Sequence, residues 1–487
     1  MDSFQTPRSH ITDSRFYGNG YTTNEAGMVF CDLRRMQRWL DVESALVQSQ
    51  AALKIIPDEA ARKLVETARL ELFDIEEIRK DIIETGHSLI PLLNSWQRAA
   101  GPDAARYIHF GATTQDIQDT AQSLELRDIV AIIDADLRDI LQELCNLAEK
   151  HRDLVTIGRT HCQPALPTTL GLKFAVWLDE MLRNCRRLDE CRSRLLVSQL
   201  FGGVGTMAAF AGRGQELIEE FSRRLGLDTP LTAWHSARDR IAEFTSCMAL
   251  LTGTMAKIAN EICQLSRNET GELEEPFHMG KIGSTTMPHK RNPELCEQVV
   301  VLARLVKSSA LLGFEGLINE HERDYRAVRM EWAGLVDACS YTCGSLHLMK
   351  TILRGLIIHP ERIRQNLDSS ACLVSTEALM FLVGNRIGKQ AAHQLIYELS
   401  MAAHGSGRPL GDLLAEHPMI TDNFDPETVR ETIDPSRHIG EASFLTDRIV
   451  NVAKVFFAQR LQRNKPISCP FSRSGTCCTV QKPKTNL

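Results

Sequence analysis

From Leu126 the apolar residues Ile129, Ile133, Leu137, Ile140, Leu144 and Leu147 step by three and four, and from Ile241 the same stepping carries Phe244, Met248, Leu251, Met255, Ile258, Ile262 and Leu265. Such spacing winds one apolar stripe along a helix, so both segments are predicted to be long helices with a buried face. A helix of about 25 residues runs close to ~37 Å, longer than a single compact core requires. Seams of this kind favour nearly antiparallel packing against other long helices. Proline-free runs over 298–312 and 326–356 are expected to add members to that bundle.

Strand signals are weak throughout, with no extended period-two alternation bounded by hairpin turns. The fold is therefore predicted to be all-α, in three helical domains: an N-terminal one over residues 1–111, a central long-helix bundle over 112–358, and a C-terminal one over 359–462. His359-Pro360 breaks the preceding helix and Glu361 begins a new pattern through Ile363 and Leu367, which sets the last boundary. Residues 463–487 carry five Lys and Arg and no Asp or Glu, with Pro and Ser interspersed, and are expected to be a disordered tail.

Composition narrows the partners. With 487 residues, 43% hydrophobic and 24% charged, the chain is an ordinary globular one with room for a sizeable core. A net charge of -6 argues against nucleic acid, whereas a small anion needs only a few local cations. The first ten residues are polar, and no stretch approaches the ~18 apolar residues of a membrane span, so a cytoplasmic protein without a membrane partner is expected. The 14 cysteines are scattered singly without a CxxC pair or Cys/His cluster, which favours free thiols over disulfides or a metal site; Cys469, Cys477 and Cys478 fall in the tail. Gly202-Gly203-Val204-Gly205 lacks the strand-turn-helix setting of a nucleotide loop and is read as a flexible linker.

Chemistry concentrates in Gly283-Ser-Thr-Thr-Met-Pro-His-Lys-Arg-Asn-Pro293. A serine hydroxyl is a poor base unless its alkoxide is stabilised. Lys290, six residues after Ser284, and the N–H groups of a glycine-led loop supply such a positive field. The same groups suit an enediolate formed when a proton leaves carbon beside a carboxylate. Pro288 and Pro293 keep the segment out of a helix interior, so it is read as a loop that closes over a ligand. Two further stretches carry candidates. In His109-Phe-Gly-Ala-Thr-Thr-Gln-Asp116, Thr113, Thr114 and Gln115 offer hydroxyl and amide donors to a carboxylate. The other is Gly158-Arg-Thr-His-Cys-Gln-Pro-Ala-Leu-Pro167.

The first of these strings resembles the signature loop of the fumarase/aspartase superfamily, GSSxMPxKxNP, with Thr285 where a second serine is usual; the other two stretches follow the same family's order. The resemblance covers roughly residues 10 to 455. It implies a homotetramer with a twenty-helix core built from the central domains, each site drawing its three stretches from three subunits. It implies Ser284 as base and His161 as acid, with Thr160 as a substrate hydroxyl. Lys290 and Asn292 would hold the enediolate, and Glu297 would orient the acid or the lysine. His87, in Thr85-Gly-His-Ser-Leu-Ile-Pro91, is similar to the second histidine of adenylosuccinate lyases. By the same resemblance Arg323, in His321-Glu-Arg-Asp324, would be a carboxylate clamp, since guanidinium offers bidentate geometry. No metal or organic cofactor is implied.

Two branches are nearest. His161 and His87 resemble adenylosuccinate lyase, but Trp234, Val328 and Trp332 stand where that branch has glutamine, serine and arginine. Thr-Thr-Gln-Asp116, Phe201-Gly-Gly-Val-Gly-Thr206, Trp234-His235-x-x-Arg238-Asp-Arg240 and Glu331-Trp332 resemble 3-carboxy-cis,cis-muconate cycloisomerase. A phosphate deprived of its hydroxyl and guanidinium would lose bonds worth about 1.5 to 3 kcal/mol each, so a small di- or tricarboxylate is the expected substrate. Elimination, its reverse or lactone-forming addition all fit, as do lyases of substituted succinates and a decarboxylase of an unsaturated tricarboxylate such as aconitate. Retention of His161, commonly absent from that position in the cycloisomerases, favours a leaving atom that needs a proton. A non-catalytic structural member is the remaining alternative, against which Ser284, Lys290 and His161 all stand.

Overall fold

The computed structural model describes residues 9–463, so the cysteines expected in a disordered tail lie outside the described residues. Helix dominates. The apolar stepping from Leu126 falls in α2 (Thr114–Lys150), where Ile129, Ile133, Leu137, Ile140 and Leu144 are buried and Leu147 half-buried; α2 follows α1 (Asp32–Ala52) of the N-terminal layer. Three more long helices follow: α3 (Leu170–Leu195), α4 (Asp239–Leu265) and α5 (Glu294–Glu315). In α4 every residue of the stepping from Ile241 to Leu265 is buried. α4 packs against α3, α5 and α6 (Tyr325–Arg354), and α2 packs against α3 and α6, so five long helices share one apolar core. No helix of the described residues is long and apolar enough to cross a membrane.

A second core joins α1 and the helices up to residue 105 to the first turns of α2 and to Leu200, Phe201, Phe210, Leu217, Ile218 and Phe221. A third, around Leu379, Val383, Ile396, Leu410 and Leu414, belongs to the C-terminal helices. The last helix, α7 (Ala442–Arg463), returns to the central bundle, where Val450 and Ala453 join the core.

One element runs against the sequence reading. Between α2 and α3 the chain forms an antiparallel hairpin, β1 (Val155–Thr160) with β2 (Gln163–Thr169). Its signal was masked in the sequence. Pro164 and Pro167 lie in β2, a bulge falls between Gly158 and Arg159, and the two turn residues are His161 and Cys162, both at positive φ (48 and 66). That geometry belongs to Asn-Gly turns, so nothing local announced it. A second small pair, β3 (Leu273–Glu274) with β4 (Ile357–Ile358), closes the same end of the bundle.

Candidate active site

The candidate residues fall into two groups at opposite ends of α4. The first is built on the start of α2, where Thr113 is the N-cap. Asp116, fully buried, organises it: Oδ2 accepts from Thr113 N (3.0 Å) and Gly202 N (2.9 Å), and Oδ1 accepts from Phe201 N (3.0 Å) and His235 Nε2 (2.9 Å). The glycine stretch read as a flexible linker is thus tied down through Gly202. Arg323 Nη1 donates to Thr113 Oγ1, which places the expected clamp beside the expected hydroxyl. Thr114, the first helical residue, is half-buried. Gln115 is turned inward: only 2% exposed, it donates from Nε2 to Asp119 Oδ2 (3.1 Å) and the carbonyl of His235 (3.0 Å). Its amide nitrogen braces the floor of this group.

Beneath lies a buried charge cluster. Arg238, just before α4, donates to Glu331 through Nε (2.7 Å) and Nη2, and to Asp119 through Nη1 (2.9 Å), with the Trp234 ring 4.9 Å from its guanidinium. Burial pushes the Asp119 carboxyl above its ordinary value, against the pull of Arg238. Arg238 and Glu331 were quoted in the sequence only as branch markers; the structure gives them a job in holding α2, α4 and α6 together.

His87 lies just before the helix Ile90–Ala100, whose N-cap is Leu89. Its Nδ1 accepts from Leu89 N (3.2 Å) and Ile90 N (3.1 Å), so the ring proton of the neutral imidazole sits on Nε2 and is available as a donor. The next residue, Ser88, accepts from Gln118 Nε2 (2.7 Å), and Tyr325 donates to Gln118 Oε1 (3.1 Å). His87, Thr113 and Arg323 therefore share one patch. Gln118 and Tyr325, which join it, fall outside the quoted stretches, and Ser88, inside the His87 stretch, gave no sign of its Gln118 contact.

The second group lies past the other end of α4, where Glu272 N bonds to Leu265 O (2.8 Å). Arg159 of β1 donates to both oxygens of Glu272 (3.0 and 2.5 Å), anchoring the hairpin whose exposed tip carries Thr160 and His161. Residues 283–292 form a loop that folds on itself. Asn292 Nδ2 donates to Gly283 O (2.5 Å), Lys290 N to Met287 O (3.0 Å), and a Cβ at Gly283 would lie 2.2 Å from Lys290 O. Within that turn Ser284 Oγ accepts from Thr286 N (3.2 Å) and Met287 N (3.0 Å). Two amide dipoles thus point at the serine oxygen, an arrangement that favours its anionic form. Lys290 is exposed and makes no ion pair among the described residues. Glu297 is exposed on the first turn of α5, whose leading N–H groups, Leu295 (3.2 Å) and Cys296 (2.9 Å), are capped by Glu275.

α4 spans 27 residues, about 40 Å at the α-helical rise. One chain therefore holds Ser284, Lys290, Asn292, Glu297, Thr160 and His161 at one end of the bundle and His87, Thr113, Thr114, Gln115 and Arg323 at the other.

A family profile described as Lyase matches residues 25–307, and one described as Adenylosuccinate lyase C-terminus matches 372–449. The chain is 43% identical to N-acetyl-S-(2-succino)cysteine lyase of Dickeya dadantii, over 91% of this chain and 98% of that protein. It is 35% identical to 3-carboxy-cis,cis-muconate cycloisomerase of Pseudomonas aeruginosa, over 86% and 92%. Among solved structures, 3-carboxy-cis,cis-muconate lactonizing enzyme from Pseudomonas putida superposes with a TM-score of 0.85 at 32% identity, covering 91% of this chain and all of that one.

Proposed function

Since the chain belongs to the fumarase/aspartase superfamily of lyases, we propose that it eliminates a thiol from an S-linked succinate, releasing fumarate. The observation that carries the chemistry is Ser284 Oγ held under two backbone N–H groups. Its alkoxide takes the proton from the succinyl CH2; the adjoining carboxylate becomes an enediolate facing the Lys290 ammonium. The electron pair then forms the C=C bond as the C–S bond breaks on the opposite face, and His161 delivers a proton to sulfur. Thr113 and Arg323 hold a succinyl carboxylate, and His87 donates through Nε2. Asn292 and Gln115 act by bracing, the first across the loop and the second under Thr113.

A second copy is needed to complete such a site. The two groups lie about 40 Å apart in one chain, and α5 presents Leu311 (62% exposed) and Phe314 (48%) on its outer side. We assign the chain a homotetramer in which the ends of neighbouring bundles meet.

The choice of leaving group rests on similarity and on two apolar positions of α6. The thioether lyase relative shares 43% of its residues with this chain against 35% for the cycloisomerase. Val328 is buried, and Trp332 packs against Trp39 and Tyr325, with ring centroids 6.4 and 6.2 Å apart. Neither offers a phosphate a partner, which counts against adenylosuccinate. Cycloisomerisation of a carboxymuconate remains the second reading, favoured by the lactonizing-enzyme likeness.

Fumarate appearance near its ultraviolet band separates them. With N-acetyl-S-(2-succino)cysteine, 3-carboxy-cis,cis-muconate, adenylosuccinate and cis-aconitate offered in parallel, the thioether should have the highest kcat/KM. Ser284→Ala should keep binding and lose about 10³-fold or more in kcat. Faster muconate lactonisation would reverse the ranking of the two readings, and undiminished turnover by the alanine variant would remove Ser284 from the role of base.

A further inference from the structure

We propose that Arg329 binds a carboxylate on the departing thiol, so that the enzyme selects succinyl thioethers whose thiol arm is itself an acid. The inference rests on the thioether reading above. α6 starts at Tyr325, with Asp324 as its cap accepting from Arg326 N (3.0 Å). Arg323 just before it reaches Thr113, and Tyr325 reaches Gln118 and, through it, Ser88 beside His87. The first turn of α6 therefore fronts the carboxylate-binding patch. Tyr325, Arg329 and Trp332 stand at i, i+4 and i+7 and share one face of the helix, as the edge-on packing of Tyr325 against Trp332 at 6.2 Å shows.

The cations around this face differ in what holds them. Arg35 is paired through two bonds to Glu125 (2.9 and 3.2 Å), Arg38 to Asp128, and Arg326 to Asp324 and Glu320. Arg238 is buried between its two carboxylates. Arg329 is exposed, has no carboxylate partner among the described residues, and lies with its guanidinium 5.3 Å over the Tyr325 ring. An aromatic platform restrains a guanidinium while leaving its N–H edge open for a bidentate acceptor. Arg329 lies one helical turn beyond Tyr325, on the order of 6 Å along the helix, and the Tyr325 hydroxyl meets Gln118 in the carboxylate-binding patch. Trp332 on the same face is apolar, so Arg329 is the cation this face offers to an acid on the arm.

The test compares two substrates that differ only in that acid: N-acetyl-S-(2-succino)cysteine and the S-(2-succino) adduct of N-acetylcysteamine. The full-length enzyme should favour the first in kcat/KM by about tenfold or more, the worth of one charge-assisted bidentate contact. Arg329→Gln should collapse that ratio toward one, chiefly through KM, and Arg329→Lys should recover part of it; a merely structural role would lower both substrates alike. A ratio unmoved by Arg329→Gln, with both substrates still cleaved, overturns the inference while leaving the thioether reading intact. If the wild-type enzyme cleaves and binds neither, the thioether reading falls and this inference falls with it.

Discussion

Ser284 becomes a credible base only because of the residues that shape its turn, and Gly283 is the first of them. A methyl group there would lie 2.2 Å from the carbonyl oxygen of Lys290, which is backbone and cannot swing aside. Gly283→Ala should therefore open the turn and move the Thr286 and Met287 amides off the serine oxygen. A displacement of about 1 Å at reacting groups costs on the order of 10²-fold in rate, so kcat should fall by about that factor. The loop is exposed, so thermal unfolding should shift little. A fully active Gly283→Ala enzyme would mean that this turn is not the reactive geometry. The loop around Ser284 was legible because Gly283, Pro288 and Pro293 sit inside one short string. The inward turn of Gln115 was not, since it is set by the His235 carbonyl, far along the chain, together with Asp119.

Helices announced themselves through their stripes, and the hairpin did not, because its tip substitutes His161-Cys162 for the usual turn residues. Two left-handed non-glycine residues cost roughly 1 kcal/mol or more each; here the strain is borne where the candidate acid must project. A comparable point of tension opens the segment before α2. His109, at positive φ, places Nδ1 2.6 Å from the fully buried carboxylate of Glu43 in α1. Burial works against the imidazolium, but the hydrogen bond and charge of Glu43, with Asp116, outweigh it and hold His109 above its ordinary 6.5. A histidine pKa raised in the fold stabilises fully below the unfolded value and loses that contribution as pH rises through the folded one. The stability advantage of the wild-type chain over Glu43→Gln, read from urea midpoints, should therefore be largest below about pH 6.5 and shrink steadily above it. An advantage constant from pH 6 to 9 would show that the pair does not carry a proton-linked charge.

Across the whole molecule, hydrophobic period gave the lengths of the helices but not which ends the site residues occupy; that follows from the order in which α2, α4, α5 and α6 run up and down the bundle. With Ser284 at one end and Arg323 at the other, about 40 Å apart along α4, the proposed mechanism requires a site completed by a second chain. Ser284→Ala and Arg323→Met should each be nearly inactive when expressed singly. Co-expressed in equal amounts they should recover activity, because a site that takes Ser284 from one chain and Arg323 from another is intact when both donors happen to be unaltered. Random assembly makes that about one site in four, so the mixture should reach roughly a quarter of wild-type kcat, while a site drawn from a single chain would give none. Mixing the two purified variants under conditions that block subunit exchange should leave the activity absent. Recovery near one quarter on co-expression, together with silence on simple mixing, would locate the reaction at the meeting of two bundle ends; no recovery on co-expression would place it within one chain and defeat the composite site.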